Sequence, residues 1–465
     1  MRRVLLLVGA ILVLAFLVFL PTIRYALVYD DLLLLVPNQR LTSWSYLPGY
    51  FTTHLWAHQP LEHPNYYRPI SLIWFRLLDA TLGAPGPIWH LGSILAHLAV
   101  TVFVLLLIRR LTGDWKGALL AAGLFAIHPV HTETVAWVSC GFDLLVTAFL
   151  VLCVYYYAGK KSPISFVSLL FAALAMFTKE TGIVAPALIL TYEWTQSNIK
   201  QAITAAAPYL MPALLFAALR MNALGNLSTG VPPNMTVSTM VLTWPRVLAA
   251  YAAHLIWPVH LSVCYDVPME TAIWPLLVMI VVVAGLIWAA RGCSANVRFG
   301  AAWFAITLLP ALGIRYLRAD DYVHDRYLYL PTVGLALITA EWFSRLRLTP
   351  ARIVAVCSVA MACCWGTTAD LQIWRNETSL FRRAVETAPQ NPSAKNNLAI
   401  AYLDSGRPEE ALPLVQQFIA SRPGDYRGYV NMVRYYRQTG NQAEADRYYA
   451  IFRQIYQSEQ AGHGR

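Results

Sequence analysis

Charged residues are scarce in this sequence. Only 13% of its 465 residues are Asp, Glu, Lys or Arg, whereas 57% are hydrophobic and the mean hydropathy is +0.49. Because soluble globular domains carry about 25% charged residues, this composition excludes an ordinary soluble enzyme. The chain is predicted to be an integral membrane protein that crosses the bilayer several times.

Cysteine pairs and a basic surface are lacking as well. None of the seven cysteines forms a Cys-x-x-Cys motif, and Cys363 and Cys364 lie in an apolar stretch where packing is their expected role. The net charge of +10 does not indicate nucleic-acid binding, because residues 370–465 hold 12 Lys/Arg against 10 Asp/Glu. The other basic residues stand mostly in short loops between apolar runs, as the positive-inside pattern requires. No nucleic acid is expected as a partner.

Apolar stretches predict about eleven membrane-spanning helices, since a helix needs about 20 apolar residues to cross a bilayer. The first follows Arg2 and Arg3, and no small-x-small cleavage site follows it, so we interpret it as an uncleaved membrane helix. A further stretch, 246–262, is interrupted by His254, Pro258 and His260 and is expected to be re-entrant or interfacial. The predicted spans lie near 4–20, 88–108, 117–135, 141–158, 163–178, 182–196, 203–220, 272–290, 299–314, 327–344 and 352–368.

The charges predict an orientation. If 246–262 does not cross, the basic clusters of the short loops all fall on one side, which the positive-inside rule assigns to the cytoplasm. Of the 15 acidic residues before residue 370, all but Asp114, Glu193 and Glu341 then fall on the outer face. Several stand in short turns at helix ends, where a purely structural protein gains little from them. The outer face is therefore predicted to carry the functional site.

Residues 370–465 carry a 34-residue repeat. This period is that of the tetratricopeptide helix-turn-helix, and such repeats bind extended peptides along a concave face. The predicted domains are a membrane body, 1–369, and a repeat arm, 370–465, with two full repeats after a helix near 376–386. Five residues are identical at the fixed offset: Pro389 and Pro423, Asn397 and Asn431, Tyr402 and Tyr436, Gly406 and Gly440, and Ala411 and Ala445.

The first outer loop, about residues 25–87, is much the longest in the membrane body and carries Asp30-Asp31 near its start. Successive helical residues point about 100° apart, so only one of the two carboxylates easily faces a given pocket. One acting as general base and the other as a structural or capping group is the natural division. A plain N-cap or a solvated pair is the alternative.

A second outer stretch, His128-Pro129-Val130-His131-Thr132-Glu133, holds three candidate metal ligands within six residues. The proline breaks the helix, and the spacing is not the i, i+4 pattern of zinc proteases. We therefore favour hydrogen bonding and head-group contact over metal binding for His128, His131 and Glu133.

Two more outer stretches place basic residues at helix ends. Lys179 and Glu180 lie in a tight turn, either as functional groups or as interface charges. Arg326 begins another helix, where it could bind a phosphate through two hydrogen bonds or anchor the chain beside the neighbouring tyrosines.

The order of these pieces resembles a known family. An acidic pair after the first helix is followed by Tyr-Arg-Pro, His-Pro-Val-His-Thr-Glu-Thr-Val-Ala-Trp, Lys-Glu-Thr-Gly, Pro-x-x-Leu-Ser-x-x-Tyr-Asp, Asp-Arg-Tyr-Leu-Tyr-Leu-Pro and terminal repeats. The set resembles the transmembrane and tetratricopeptide-repeat (TMTC) O-mannosyltransferases and their bacterial relatives in the GT-C glycosyltransferase superfamily, and it covers nearly the whole chain. The resemblance implies an all-α, GT-C-like membrane body followed by an α-solenoid.

The resemblance also implies an activity. Such an enzyme moves a sugar from a polyprenyl-phosphate donor to an acceptor outside the cytoplasm, without a metal or other cofactor. The repeats favour a protein Ser/Thr hydroxyl as acceptor over a glycan or lipid, and compact loops favour a bacterial inner membrane. The base would be Asp30 or Asp31, with Asp31 slightly favoured.

The remaining roles are carried over to the matching positions. Arg68, Lys179 and Arg326 become candidates for binding the donor phosphate. The implied pocket lining is Tyr67, His128, His131, Glu133, Asp143, Glu180, Asp266, His324 and Asp325.

Two departures from the family pattern are visible. Cys140-Gly141-Phe142-Asp143 lacks the arginine of the family's Gly-Arg-x-Asp, and the repeats number only two. A membrane scaffold that presents the repeats to partners is the chief alternative function, but it leaves the outer acids unexplained. A transporter would place charges deep in its helices and repeat its helical body, and neither pattern is evident.

Overall fold

The computed structural model describes residues 2–59, 66–82, 86–160, 164–227, 234–317 and 321–463. Across these ranges it contains α- and 3-10 helices and no β-strand, which confirms the predicted all-α class. The α-helices before the repeats are α1 (Arg2–Phe19), α2 (Asp30–Leu34), α3 (Leu47–Tyr50), α4 (Pro69–Leu82), α5 (Pro87–Thr112), α6 (Trp115–Ile127), α7 (Thr132–Ala136), α8 (Gly141–Ala158), α9 (Phe166–Thr178), α10 (Ala185–Gln196), α11 (Ile199–Ala206), α12 (Leu210–Leu224), α13 (Val237–Ile256), α14 (Trp274–Ala290), α15 (Ala295–Leu308), α16 (Arg326–Tyr329), α17 (Thr332–Arg345) and α18 (Pro350–Leu371).

The apolar helices make the chain an integral membrane protein. Six helical segments in the described ranges are long and apolar enough to cross a bilayer: Arg2–Arg24, Pro87–Thr112, Val138–Ala158, Ile199–Leu224, Ala295–Tyr316 and Pro350–Arg375. Three shorter apolar helices, α6, α9 and α14, accompany them. The count of about eleven crossings and the orientation stay predictions. The segment 246–262 comprises the second half of α13 and the irregular chain that follows it.

Close helix packing in the membrane body depends on glycine. Helices α15 and α17 cross at Gly300 and Gly334, where a Cβ built on Gly300 would lie 2.7 Å from the Gly334 carbonyl oxygen. Helix α6 likewise approaches the backbone of Ala340 in α17 at Gly117. Without a strong hydrophobic driving force between helices in lipid, small residues allow the backbone contact that holds such a bundle together.

The predicted outer loop, 25–87, is more helical than expected. Helix α4 occupies Pro69–Leu82 and packs beside α9. Proline at the first position suits a helix start. The apolar stretch after Pro69 is too short to span a bilayer, so the sequence alone placed it in the loop.

The repeat arm contains α19 (Glu377–Thr387), α20 (Pro392–Asp404), α21 (Pro408–Ser421), α22 (Tyr426–Gln438) and α23 (Gln442–His463). Helix α19 confirms the helix predicted near 376–386. The repeated glycines follow α20 and α22 with φ of 68° at Gly406 and 79° at Gly440, a conformation that glycine adopts at no steric cost. This requirement explains why glycine recurs at the 34-residue offset.

The arm packs directly on the membrane body. A 3-10 turn, Gln372–Arg375, joins α18 to α19, and the Trp374 ring in it stacks on Trp137 with centroids 6.0 Å apart. The Ala26 backbone N–H donates to the Arg375 carbonyl at 3.0 Å. Trp374 and Phe381 are both 2% exposed and share one core with the body. The first helix of the arm is therefore continuous with the fold that carries the outer loops.

Candidate active site

A cavity of about 350 Å³ lies among the loops and helix ends that sequence reasoning assigned to the outer face. Its wall is partly aromatic, with Tyr66, Trp137 and Phe142 among the lining residues. Among the described residues, six charged side chains line it: Asp30, Asp143, Glu180, Arg68, Lys179 and Arg326. All six had been singled out from the sequence.

The two aspartates of the acidic pair occupy different environments at the start of α2. Asp30 lines the cavity. Asp31 is fully buried, and its Oδ1 accepts hydrogen bonds from the Ser139 backbone N–H at 2.7 Å and the Ser139 hydroxyl at 2.5 Å. Burial raises the pKa of Asp31 to about 7, although the Ser139 hydrogen bonds lower it in part. The geometry thus gives Asp31 a structural position and Asp30 the open one, opposite to the slight preference for Asp31.

Arg68 is anchored by Glu180, 112 residues later in the chain. Its Nε–H and Nη2–H donate to Glu180 Oε2 at 2.9 and 2.8 Å, and Arg220 donates to Oε1 at 3.2 Å. The guanidinium also lies over the Tyr66 ring, 4.2 Å from its centroid. Burial alone would raise the pKa of Glu180, but the two arginines outweigh it and hold that pKa below its usual range.

Lys179 forms an ion pair with Asp143 at the wall of the same cavity. Its Nζ lies 2.5 Å from Asp143 Oδ1, and both side chains are largely buried. Lys179 directly follows α9, and Asp143 lies in the first turn of α8. The pairing therefore fixes two helix ends at the cavity wall.

Arg326, at the start of α16, is paired with Glu133. The carboxylate accepts from the Arg326 guanidinium and, at 3.0 Å, from its backbone N–H. The guanidinium also lies 5.0 Å from the ring centroids of Trp137 and Tyr327. These contacts fix its direction, while its remaining N–H groups can donate to two oxygens of an anion such as a phosphate.

The other predicted lining residues lie outside the lining of this cavity. Tyr67 is buried, and its hydroxyl donates to the Phe51 carbonyl at 2.9 Å. Glu133 lies behind Arg326, as its 2% exposed side chain indicates. His131 is buried against aromatic rings, with Nε2 2.9 Å from the Thr332 hydroxyl.

The remaining four bind neighbouring elements instead. His128 Nδ1 accepts from the Val130 backbone N–H at 3.3 Å, which caps the 3-10 turn Pro129–His131. His324 Nδ1 lies 3.2 Å from the Val263 carbonyl oxygen, and Asp325 accepts from the Tyr265 hydroxyl at 2.5 Å. Asp266 accepts from the Gln390 backbone N–H in the repeat arm at 3.4 Å. The sequence could not distinguish these supporting positions from lining ones because all stand in the same outer stretches.

Sequence reasoning missed three residues that hold the site together. Ser139 fixes Asp31, Arg220 shares Glu180 with Arg68, and Trp137 lies beneath Arg326. Arg220 had a usable signal, because it is a single charge within the apolar helix α12. Trp137 ends the quoted motif that begins at His128, but its contact with Arg326 could not be read from the sequence. Ser139 had no signal, since its role depends on Asp31, a partner far away in sequence.

The arrangement suits an anionic ligand with a proton-accepting group nearby. Three basic side chains and three carboxylates line one partly apolar cavity. Within the described ranges, no three His, Cys, Asp or Glu side chains are grouped to hold a metal ion. The catalytic and phosphate-binding roles themselves stay predictions.

Comparisons with known proteins agree with the predicted relationship. A family model described as a tetratricopeptide repeat matches residues 378–434 and confirms the repeats. The chain is 25% identical to human "Protein O-mannosyl-transferase TMTC1", covering 83% of this chain and 52% of that protein. It is 24% identical to mouse "Protein O-mannosyl-transferase TMTC3", covering 92% of this chain and 52% of that protein. The chain spans about half the length of these relatives.

Two solved structures show partial similarity to this chain. ArnT from Cupriavidus metallidurans, bound to undecaprenyl phosphate, superposes with a TM-score of 0.46 and 13% identity over 95% of this chain and 78% of that one. The Archaeoglobus fulgidus oligosaccharyltransferase, tethered with an acceptor peptide, gives a TM-score of 0.41 and 12% identity over 87% of this chain and 58% of that one. The sequence matches, which cover 83–92% of this chain, confirm the resemblance expected from the order of motifs: the chain is similar to the TMTC O-mannosyl-transferases.

Proposed function

We propose that the chain is a membrane glycosyltransferase that transfers a sugar, with mannose as the first candidate, from a polyprenyl-phosphate donor to a protein Ser/Thr hydroxyl. The observation that carries the proposal is the cavity that brings Asp30 together with Arg68, Lys179 and Arg326. The names of the sequence relatives, all protein O-mannosyl-transferases, support the reaction class.

The three basic residues are proposed to bind the donor phosphate. Each already faces a carboxylate, so each is held in one direction before the donor arrives. Preorganised cations stabilise the negative charge that builds up on the leaving phosphate. Because these side chains can supply that charge compensation, the proposal includes catalysis without a metal.

Asp30 is proposed to be the general base. It accepts the proton of the acceptor hydroxyl while the hydroxyl oxygen forms the new bond to the anomeric carbon. The bond from that carbon to the phosphate oxygen breaks, polyprenyl phosphate leaves, and the anomeric configuration inverts. Asp31 supports this step indirectly, since its two hydrogen bonds from Ser139 tie α2 to the turn Val138–Cys140.

The lipid and the acceptor are proposed to reach the cavity from different sides. The polyprenyl chain would lie among the apolar helices, and the acceptor polypeptide would come from the repeat arm, which contacts Tyr29, the residue before α2. Both the cavity and the arm would then lie outside the cytoplasm, in keeping with the predicted orientation and a bacterial inner membrane.

The test compares Asp30→Asn with Asp31→Asn, which make the same chemical change at adjacent residues. Purified variants receive a panel of labelled polyprenyl-phosphate sugars and Ser/Thr peptides. We expect Asp30→Asn to abolish transfer and to keep donor binding, whereas Asp31→Asn keeps measurable transfer with reduced stability. Equal transfer by wild type and Asp30→Asn would overturn the assignment of the base. A wild type that binds no donor would favour the scaffold function.

A further inference from the structure

Tyr29, the residue before the acidic pair, has an unusual backbone conformation. Its φ is 56° and its ψ is −124°, a region that side chains with a Cβ rarely adopt. Such a conformation persists only where the surroundings determine it, and it occurs often at functional sites. Because α2 begins at the next residue, the backbone of Tyr29 sets the direction in which Asp30 and Asp31 leave the loop.

The surroundings that hold Tyr29 come from both parts of the chain. Its ring stacks on Trp137 of the membrane body, with centroids 5.3 Å apart. The edge of the Phe381 ring, in the first helix of the repeat arm, meets it at 5.5 Å. The Glu377 carboxylate, also in α19, lies close to the backbone of Tyr29. The repeat arm therefore contacts both the side chain and the backbone of this residue.

The same contacts reach a second part of the cavity. Trp137 lies between Tyr29 and the guanidinium of Arg326, whose carbon is 5.0 Å from the Trp137 centroid. Trp374, in the turn that leads into α19, also stacks on Trp137, with centroids 6.0 Å apart. The aromatic cluster of Tyr29, Trp137, Trp374 and Phe381 thus links the repeat arm to the candidate base and to a candidate phosphate ligand.

We infer that helix α19 is part of the catalytic apparatus: Phe381 and Glu377 are positioning residues that hold Tyr29 in its positive-φ conformation and so aim Asp30 into the cavity. This inference rests on the proposed function for its effect on transfer, but the geometric part stands by itself. The repeat arm then contributes to the chemical step even for an acceptor too short to occupy the repeats.

The first test truncates a buried phenylalanine in two places. Phe381→Ala removes the contact with Tyr29, and Phe418→Ala makes the same change at a fully buried site of α21, away from the body. With a short peptide acceptor, we expect Phe381→Ala to lower kcat roughly tenfold to a hundredfold, as a small misplacement of a base does, with the KM for the donor little changed. Phe418→Ala should stay within about threefold of wild type, and Phe381→Leu, which restores most of the volume, should recover most of kcat.

A second readout does not depend on activity. The amides of Asp31, Leu32 and Leu35 donate to carbonyls at the start of α2, so hydrogen exchange reports whether this helix is held. We expect exchange at these amides to be about tenfold faster or more in Phe381→Ala and unchanged in Phe418→Ala. Unchanged exchange in Phe381→Ala would overturn the inference even if the wild type transfers no sugar.

Replacing Tyr29 with glycine separates the backbone from the ring. Glycine adopts a φ of 56° without cost, so Tyr29→Gly relieves the strain and removes only the aromatic anchor. We expect faster exchange in α2 and a kcat reduced as in Phe381→Ala. If amide exchange in α2 and kcat both stay at the wild-type level in Tyr29→Gly, the repeat arm does not position Asp30. If the wild type transfers no sugar but both variants show the expected faster exchange in α2, the proposed function is wrong and the inference about α19 stands.

Discussion

Replacing Glu180 with Gln removes the negative charge that holds two arginines at the cavity, and we expect this change to destabilise the protein. The Glu180 carboxylate pairs with Arg68 at 2.8 Å and with Arg220 at 3.2 Å. The two arginine side chains are only 9% and 5% exposed. Without the carboxylate, both guanidinium groups stay buried beside a neutral amide.

The magnitude follows from that burial. Removing one partner of a buried pair costs about 3–5 kcal/mol, because the other charge is left without compensation. Glu180 itself is 29% exposed, so water screens part of the interaction. We therefore expect a loss of roughly 2–4 kcal/mol in the free energy of unfolding.

A matched control makes the same chemical change at the surface. Glu410 pairs with Arg407 in the repeat arm, and both side chains are more than 40% exposed. Exposed pairs contribute about 0–1 kcal/mol, so Glu410→Gln should leave the melting temperature almost unchanged. Both variants can be compared with wild type by thermal unfolding in the same detergent.

The pH dependence gives a second check. The folded-state pKa of Glu180 is lowered, so its contribution to stability is present above the unfolded pKa of about 4.3 and is lost as the pH falls through the folded pKa. The difference between wild type and Glu180→Gln should be full at neutral pH and should shrink below about pH 4. An unchanged melting temperature at neutral pH, or a difference that grows in acid, would refute the argument.

Three further predictions concern the phosphate ligands, the helix contact and the metal. Arg326→Lys keeps the positive charge beside Glu133 but loses the planar fork, so kcat/KM for the donor should fall about tenfold in transfer assays. Gly334→Ala forces α15 and α17 apart at Gly300 and should cost about 1–3 kcal/mol in thermal unfolding, whereas Gly285→Ala, where a Cβ meets nothing within 4 Å, should cost nothing. Transfer should continue in excess EDTA; its abolition, with recovery on adding a divalent cation, would contradict the assignment of the charge compensation to basic side chains.

The repeat arm was the part of the fold that could be predicted best from sequence. Its period is visible in residues with strict local requirements, such as Gly406 and Gly440. Both have a positive φ, which glycine adopts readily and other residues disfavour. Ala411 and Ala445, both fully buried, leave no room for larger residues where helices meet. Local requirements of this kind recur at a fixed spacing and are therefore visible in one sequence.

The membrane body was predictable in outline, because long apolar runs indicate helices by length alone. Helix α4, Pro69–Leu82, was missed since its apolar run is short and lies within a stretch that also contains polar turns. Crossings at Gly300 and Gly334 could not be foreseen either, because glycine in a membrane helix does not identify its partner.

The candidate site was predictable in its residue types but not in its pairings. The cavity is lined by the four residues that the sequence had indicated as base or phosphate ligands: Asp30, Arg68, Lys179 and Arg326. Which carboxylate each cation contacts depends on tertiary packing, and Glu180 contacts Arg68 from 112 residues away. The preference between two adjacent aspartates also needed the fold, since only the tertiary structure buries Asp31 against Ser139 and leaves Asp30 at the cavity.

The most direct measurement follows label from donor to acceptor with the purified wild-type protein. Polyprenyl-phosphate mannose labelled in the sugar is supplied with a Ser/Thr peptide, and the products are resolved by mass spectrometry. The proposed function predicts a mannosylated hydroxyl of inverted anomeric configuration and an equal amount of released polyprenyl phosphate, both lost in Asp30→Asn. Label that stays on the lipid with every acceptor, or transfer that is unchanged in Asp30→Asn, would contradict it.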